Sequence, residues 1–311
     1  MTKLVLDITD IKTQVAIDFI AGFDVLEPFI LDNEKWLIRR YTGKTLFDKL
    51  VSTKNTPSGT VDVYSELLSV AQGIVINRSM MQYIPEGQLD ISENGIRIST
   101  SETKKTAFEW QIAKLEKRYL DTANEKIEEL LDLLFNNDVS EWKTSKIFKN
   151  IRSNFVNSAY QFNKYFNIDE SHRLFLSLVP DIEYSERVYI LSALGEVFFN
   201  ELKVKILAGE DILPINPDAI KTAHFELFRL IRAAVVYLTV LHATSDLKKP
   251  QDIELRATHA QQQLKAFLDE KASNGLFNSY FISTKYTSPE IISMSDSGID
   301  NAVLTGIYGA F

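Results

Sequence analysis

Apolar side chains recur every three or four residues along most of this chain, separated by short polar breaks. Within residues 24–41, Leu26, Ile30, Leu37, Ile38 and Tyr41 fall at roughly helical spacing, which places them on one face of an amphipathic helix. Gly43 follows, where left-handed dihedrals can stop a helix. Residues 46–50 add a short amphipathic piece before a loop over 52–59, and residues 61–84 read as another helix closed by Pro85 and Gly87. Residues 89–99 change period. Leu89-Asp90-Ile91-Ser92 and Ile96-Arg97-Ile98-Ser99 alternate apolar and polar on either side of Asn94-Gly95, the strongest short-range signal for a β-hairpin.

The longest periodic run is 103–136, where Phe108, Ile112, Leu115, Tyr119, Ala123, Ile127, Leu130, Leu131 and Leu134 share a stripe. A helix of that length spans about 50 Å and needs a partner along that stripe. Residues 142–166 repeat the period with Ile147, Ile151, Phe155, Ala159, Phe162 and Phe166, so the two are expected to form an antiparallel pair. Further helical stretches are expected at 172–178, 181–194, 197–207, 217–242 and 253–272.

Two parts of the chain resemble each other. At a constant offset of 152, residues 23–50 match residues 175–202 at nine of 28 positions: Phe23/Phe175, Leu26/Leu178, Pro28/Pro180, Ile30/Ile182, Glu34/Glu186, Ile38/Ile190, Gly43/Gly195, Phe47/Phe199 and Leu50/Leu202. The shared pattern is a proline at a helix entrance, an apolar stripe, a glycine stop and Phe-x-x-Leu. Glu66-Leu67 then resembles Glu226-Leu227, with Val75-Ile76 on Val235-Val236, and Ala123, Ile127 and Leu131 match Ala260, Leu264 and Leu268 in the same order. Fixed-offset similarity is the mark of repeated structural units. The expected fold is mostly α: two tandem, degenerate helical-bundle units (1–140, with the hairpin at 89–99, and 167–277), a connecting helix at 141–166 and an extended C-terminal arm at 278–311.

Composition removes whole classes of chemistry. With no cysteine among 311 residues, disulfides, thiol catalysis and thiolate metal sites are excluded. The net charge of −8 argues against a chain built to grip nucleic acid. No stretch reaches 18 apolar residues, and residues 1–13 are too polar for a signal peptide. The four histidines, His172, His224, His242 and His259, form no i, i+4 pair of the zinc-binding kind. His224 reads as a half-buried helix residue. Glycine-rich phosphate loops and the GxSxG elbow do not occur. The carboxylate doublets Glu128-Glu129 and Glu210-Asp211 read as solvated. No catalytic, cofactor or metal residues are therefore expected, and the chain is not expected to be an enzyme.

Residues 278–311 carry only Lys285, Glu290, Asp296 and Asp300 as charges. Residues 279–287 have strand propensity, and an uncharged aromatic tail needs cover. It either packs on its own unit or inserts into another subunit as an added strand. The residues expected to touch a partner are Tyr280, Phe281, Ile282, Tyr286, Ile307, Tyr308 and Phe311.

Several of these segments resemble a known family. Phe29-Ile30 through Ile38, followed by residues 42–50 (TGKTLFDKL), is similar to the opening of the helical head–tail connector (adaptor) proteins of tailed phages. Asn94-Gly95-Ile96, residues 105–111 (KTAFEWQ), residues 129–134 (ELLDLL), Trp142, Phe162-Asn163 before Tyr165, and residues 173–180 (RLFLSLVP) resemble an uncharacterised family of about this length from Bacteroidetes phages and prophages. The resemblance implies a virion neck component, made in the host cytoplasm. It would form a homo-oligomeric ring, commonly of twelve copies, beneath the portal, joined to the tail or to further neck proteins. Double-stranded DNA would pass without sequence-specific binding, which an acidic lining suits. Another phage structural, tail-completion or scaffold protein is the alternative. The chain is about twice the length of ordinary adaptors, as the internal repeat would explain.

Overall fold

The computed structural model describes residues 3–15, 22–55, 62–87, 89–92, 95–98, 108–212, 215–216, 218–243 and 249–288. The described chain is mostly helical. Its first part runs α1 (Ile8–Gln14), α2 (Phe23–Leu37), a π-helical turn (Ile38–Thr42), α3 (Gly43–Asn55), α4 (Val63–Glu86), strands β1 (Leu89–Ser92) and β2 (Gly95–Ile98), and α5 (Glu109–Asn136). Three short helices follow, α6 (Ser140–Lys143), α7 (Lys146–Arg152) and α8 (Ala159–Asn163). The last part runs α9 (His172–Ser185), a second π-helical turn (Glu186–Ile190), α10 (Leu191–Leu194), α11 (Glu196–Leu207), α12 (Ala219–His242), α13 (Ile253–Ser273) and α14 (Asn278–Phe281). The strands pair antiparallel with Leu89 opposite Ile98 and Ile91 opposite Ile96.

Two hydrophobic cores result. One gathers Leu4 and Val5 with the apolar stripes of α1 to α6, down to Trp142. The other gathers Ile151, Phe155 and Phe162 with α9 to α14. Phe135 and Leu176 line both. Residues 142–166 are therefore not one connecting helix but three pieces shared between the cores. Ser145 and Ser158 start α7 and α8 by accepting the N–H groups of Phe148 and Gln161, and such serine caps set helix starts rather than continuations. The stripe of α5 packs mainly on α4 rather than pairing along its length with a helix over residues 142–166.

The halves use the same parts. α2 packs on α4 and α4 on α5, as α9 packs on α12 and α12 on α13. Asp62 caps α4 and Asp218 caps α12. Both α2 and α9 carry their matched proline inside the helix, Pro180 in the middle of α9 rather than at its entrance. Each then passes through a π-helical turn to a glycine with positive φ, +70° at Gly43 and +78° at Gly195, which only glycine adopts readily with ψ near 160°. That break re-aims the chain so that Leu46 and Leu50 of α3, and Phe198 and Leu202 of α11, turn inward.

Several boundaries differ from the sequence reading for identifiable reasons. α3 continues to Asn55, because Val51 is buried and Thr53 returns its hydroxyl to the Lys49 carbonyl. Residues 172–185 form one helix across Pro180. Residues 279–287 contain a helical turn instead of a strand. Tyr280 anchors that turn in the core and Phe277 takes a left-handed conformation (φ 58°) before it.

Candidate functional site

Several of the buried polar groups serve the backbone. Leu4 has its N–H bonded to Glu34 Oε1 at 2.6 Å and its carbonyl to Gln72 Nε2 at 2.8 Å. Phe155 is held the same way, its N–H by Glu186 and its carbonyl by Arg232 Nε at 3.0 Å. Glu34 and Glu186 are related by the 152-residue offset, and Gln72 and Arg232 by the 160-residue offset of the second matching stretch. A lysine completes each clamp: Lys54 Nζ donates to the Leu4 carbonyl and Lys203 Nζ to the Ser153 carbonyl. A smaller pair follows the same offsets, Asn33 Nδ2 to Ser79 Oγ at 3.1 Å and Thr239 Oγ1 to Ser185 Oγ at 3.4 Å. Each half thus fixes a non-helical segment, between a carboxylate of α2 and an amide of α4 in the first and between a carboxylate of the second π-helical turn and a guanidinium of α12 in the second.

These carboxylates are not free for chemistry. Burial raises the Glu34 carboxyl above its ordinary range, against the pull of the Leu4 and Val5 N–H groups. Burial likewise raises Glu186 and lowers Lys203, whose charges face each other in a salt bridge. A cleft of ≈ 230 Å³ borders that pair, lined also by Asn150, Asn154, Glu183 and Arg187. Asp211, expected to be solvated, is 5% exposed and bridges Arg232. Glu128, also expected to be solvated, reaches from α5 to the start of α9, where it accepts from Ser171 Oγ and the His172 and Arg173 N–H groups. The positive end of a helix favours such a carboxylate.

Three of the histidines pack against neighbouring groups. His172 stacks on Phe135 at 4.5 Å, and His242 stacks on Tyr189 and meets its hydroxyl at 2.8 Å. His224 is half-buried on α12, its Nδ1 2.9 Å from the Ile220 carbonyl. Among the described residues no group of three His, Asp or Glu could hold a metal ion, and no helix is long and apolar enough to cross a membrane.

The residues expected to touch a partner divide. Tyr280 is fully buried in its own chain, its hydroxyl donating to Asp269 at 2.8 Å and accepting from Lys265 at 2.9 Å. It is therefore unavailable to a partner, because its ring completes the core beside Phe198. Tyr286 is half-buried, packed 4.8 Å from Phe281. Phe281 and Ile282 remain on the surface at 44% and 76% exposure. Ile307, Tyr308 and Phe311 lie outside the described residues.

Two further apolar surfaces are exposed, the first of them at Phe108 and Leu115, which the sequence places on the α5 stripe expected to be covered by a partner helix. At the start of α5, Phe108, Trp110 and Leu115 are exposed, and no side chain of residues 109–118 is fully buried. In the α5–α13 register of 137 residues, α13 starts at the counterpart of residue 116 (253 − 137), so α5 begins seven residues earlier than its counterpart. A groove along this projecting start carries Lys114, Lys117 and Arg118 beside Trp110. The second surface is the outer side of α11, where Val197, Val204 and Leu207 face solvent. A valine or leucine at i, i+7 and i+10 is the signal that marks it in the sequence.

Residues 38–151 match a family of unknown function, DUF6712. No curated protein and no solved structure matches the chain. The matched region runs from the first π-helical turn, through α3, α4 and α5, to the end of α7, and so takes in the projecting start of α5.

Proposed function

We propose that this chain is a structural protein of a tailed-phage virion, a head–tail connector (adaptor) of the neck beneath the portal, acting by assembly. The observation that carries the reading is the start of α5, which holds Trp110 at 64% and Phe108 at 68% exposure among lysines and an arginine. Large aromatic side chains with arginine are the residues that dominate protein–protein contacts. The same segment belongs to the stretch 105–111 that resembles the phage family. A ring needs two different faces on each copy that meet and close, and the α5 projection supplies one of them. The buried carboxylates support the reading indirectly, since Glu34 and Glu186 are occupied in holding backbone and Asp211 in pairing with Arg232.

Light scattering and electron microscopy of the purified protein, alone and with portal protein, test it. Closed rings of one size are expected, and Trp110→Ala with Phe108→Ala should abolish them while leaving helical content intact. A protein that stays monomeric at all concentrations and ignores the portal refutes the reading.

A further inference from the structure

The outer side of α11 differs from its counterpart in a way the shared scaffold does not require. At the 152-residue offset, Val197, Val204 and Leu207 stand where α3 has Thr45, Ser52 and Asn55, and all six positions are exposed. Val197 is 65% exposed, Val204 66% and Leu207 58%. Both helices bury the same inner positions, Leu46 and Leu50 against Phe198 and Leu202, so packing makes equal demands on each. Valine has about the helix propensity of the threonine and serine at the α3 positions, so local propensity does not account for Val197 and Val204. An apolar stripe kept on one copy of a repeated helix needs something to cover it. α14 lies alongside, with Ser279 Oγ donating to Glu201 between Val197 and Val204, and Phe281 at its end and Ile282 after it are exposed.

The chain supplies the occupant. Its backbone passes the Gly195 turn, two residues before Val197, where a Cβ on Gly195 would stand 3.6 Å from Lys285 Cγ and 3.7 Å from Ser283 Cβ. Twenty-three residues, 289–311, follow the last described position. They hold three charges, Glu290, Asp296 and Asp300, against Ile291, Val303, Leu304, Ile307, Tyr308 and Phe311. The stripe from Val197 to Leu207 is about 15 Å long at the helical rise, and about five extended residues cover that distance. Reach is thus ample. Residues 283–287 already pack on their own chain, the Thr287 N–H bonding Asp269 and its hydroxyl accepting from Lys265. A tethered segment meets its own surface at an effective concentration in the millimolar range.

We propose that residues 289–311 pack in cis on the α11 stripe, closing Val197, Val204 and Leu207 of their own chain. This goes beyond the neck reading and does not depend on it.

Because the chain has no cysteine, paired substitutions report the contact cleanly. Val204→Cys is combined in turn with Leu304→Cys and Ile307→Cys, bridged by a short bis-maleimide, and read by denaturing electrophoresis and peptide mapping. An intramolecular link at monomer mass is expected, while Ser52→Cys, the unit-one equivalent, with the same tail substitutions gives little. Absence of any link, or a ladder of intermolecular links that persists on dilution, overturns the proposal. Val204→Glu gives an independent readout. It should speed chymotryptic cleavage after Leu304 or Tyr308 by about tenfold, since such cleavage follows the population of the open form, with helical content unchanged. An unchanged cleavage rate overturns the proposal, whereas loss or retention of rings bears only on the neck reading.

Discussion

Glu186 offers a way to separate the cost of a lost hydrogen bond from the cost of a stranded charge. Its carboxylate is 3% exposed, accepts the Phe155 N–H and pairs with Lys203. Glu186→Ala takes away both partners at once. A buried donor left without an acceptor costs about 1–3 kcal/mol, and breaking a buried ion pair by removing one member costs about 3–5 kcal/mol. Lys203 retains the Ser153 carbonyl at 2.7 Å and lies 4.3 Å over the Phe155 ring, which softens the second figure. The two losses overlap in one side chain, so a total of about 3–4 kcal/mol is expected. Lys203→Met keeps the aliphatic stem and deletes the charge. The double variant Glu186→Ala/Lys203→Met should therefore be about 1–2 kcal/mol more stable than Glu186→Ala alone, because the stranded ammonium is gone. Urea unfolding at neutral pH followed by far-ultraviolet circular dichroism gives the comparison, provided the slopes agree. A double variant no more stable than the single one would refute the reasoning, since charge would not be what costs.

Other substitutions probe the same architecture. Trp142 donates to the Tyr41 carbonyl at 2.8 Å and meets Phe135 and Phe148 at 4.9 Å. Trp142→Phe should lose about 1–3 kcal/mol for the stranded carbonyl and Trp142→Ala about 3–5 kcal/mol; a neutral Trp142→Phe in chemical denaturation would show that another donor serves Tyr41. Gly43→Ala and Gly195→Ala should each cost about 1–3 kcal/mol for their positive φ. Gly43→Ala should cost more, because its Cβ would stand 2.9 Å from Ser145 Cβ; equal melting points would contradict the close approach. Burial raises the Glu34 carboxyl, so its contribution to stability is fully present below the ordinary glutamate value near 4.5 and is lost as pH rises through the raised one. Wild type should accordingly fare best against Glu34→Gln at the acid end, and a melting-point difference that grows in favour of wild type from pH 4 to 8 would contradict this sign.

Much of the fold was legible because helices write themselves at a period of 3.6. The buried stripes of α2 and of α5 from Tyr119 onward follow apolar positions read from the sequence, the helices expected at 61–84, 217–242 and 253–272 form as α4, α12 and α13, and the offset pairs Glu34/Glu186 and Gly43/Gly195 turned out to be the clamp and the break. Pairing was harder to read. The stripe of α5 could have met any apolar partner, and nothing local distinguishes α4 from residues 142–166. Ser145 and Ser158 lie inside what the sequence reads as one continuous helix, and their capping roles emerge only with the N–H groups of Phe148 and Gln161 in place. The polar sites were least legible. Asp211 and Glu128 read as solvated because their partners, Arg232 and the start of α9, lie 21 and 43 or more residues away. Tyr280 was assigned outward on strand propensity, and its core position depends on Asp269 and Lys265 one helix earlier.

The grip of Glu128 on the first turn of α9 gives this chain a direction. During synthesis α5 leaves the ribosome more than forty residues ahead of α9, so the carboxylate is in place before the amides it receives exist. Nucleation is the expensive step for any helix, and here a finished neighbour supplies the docking point for it. Unit two can start where unit one tells it to, while Trp142 and Leu176, which pack on the core of unit one, arrive later to complete it.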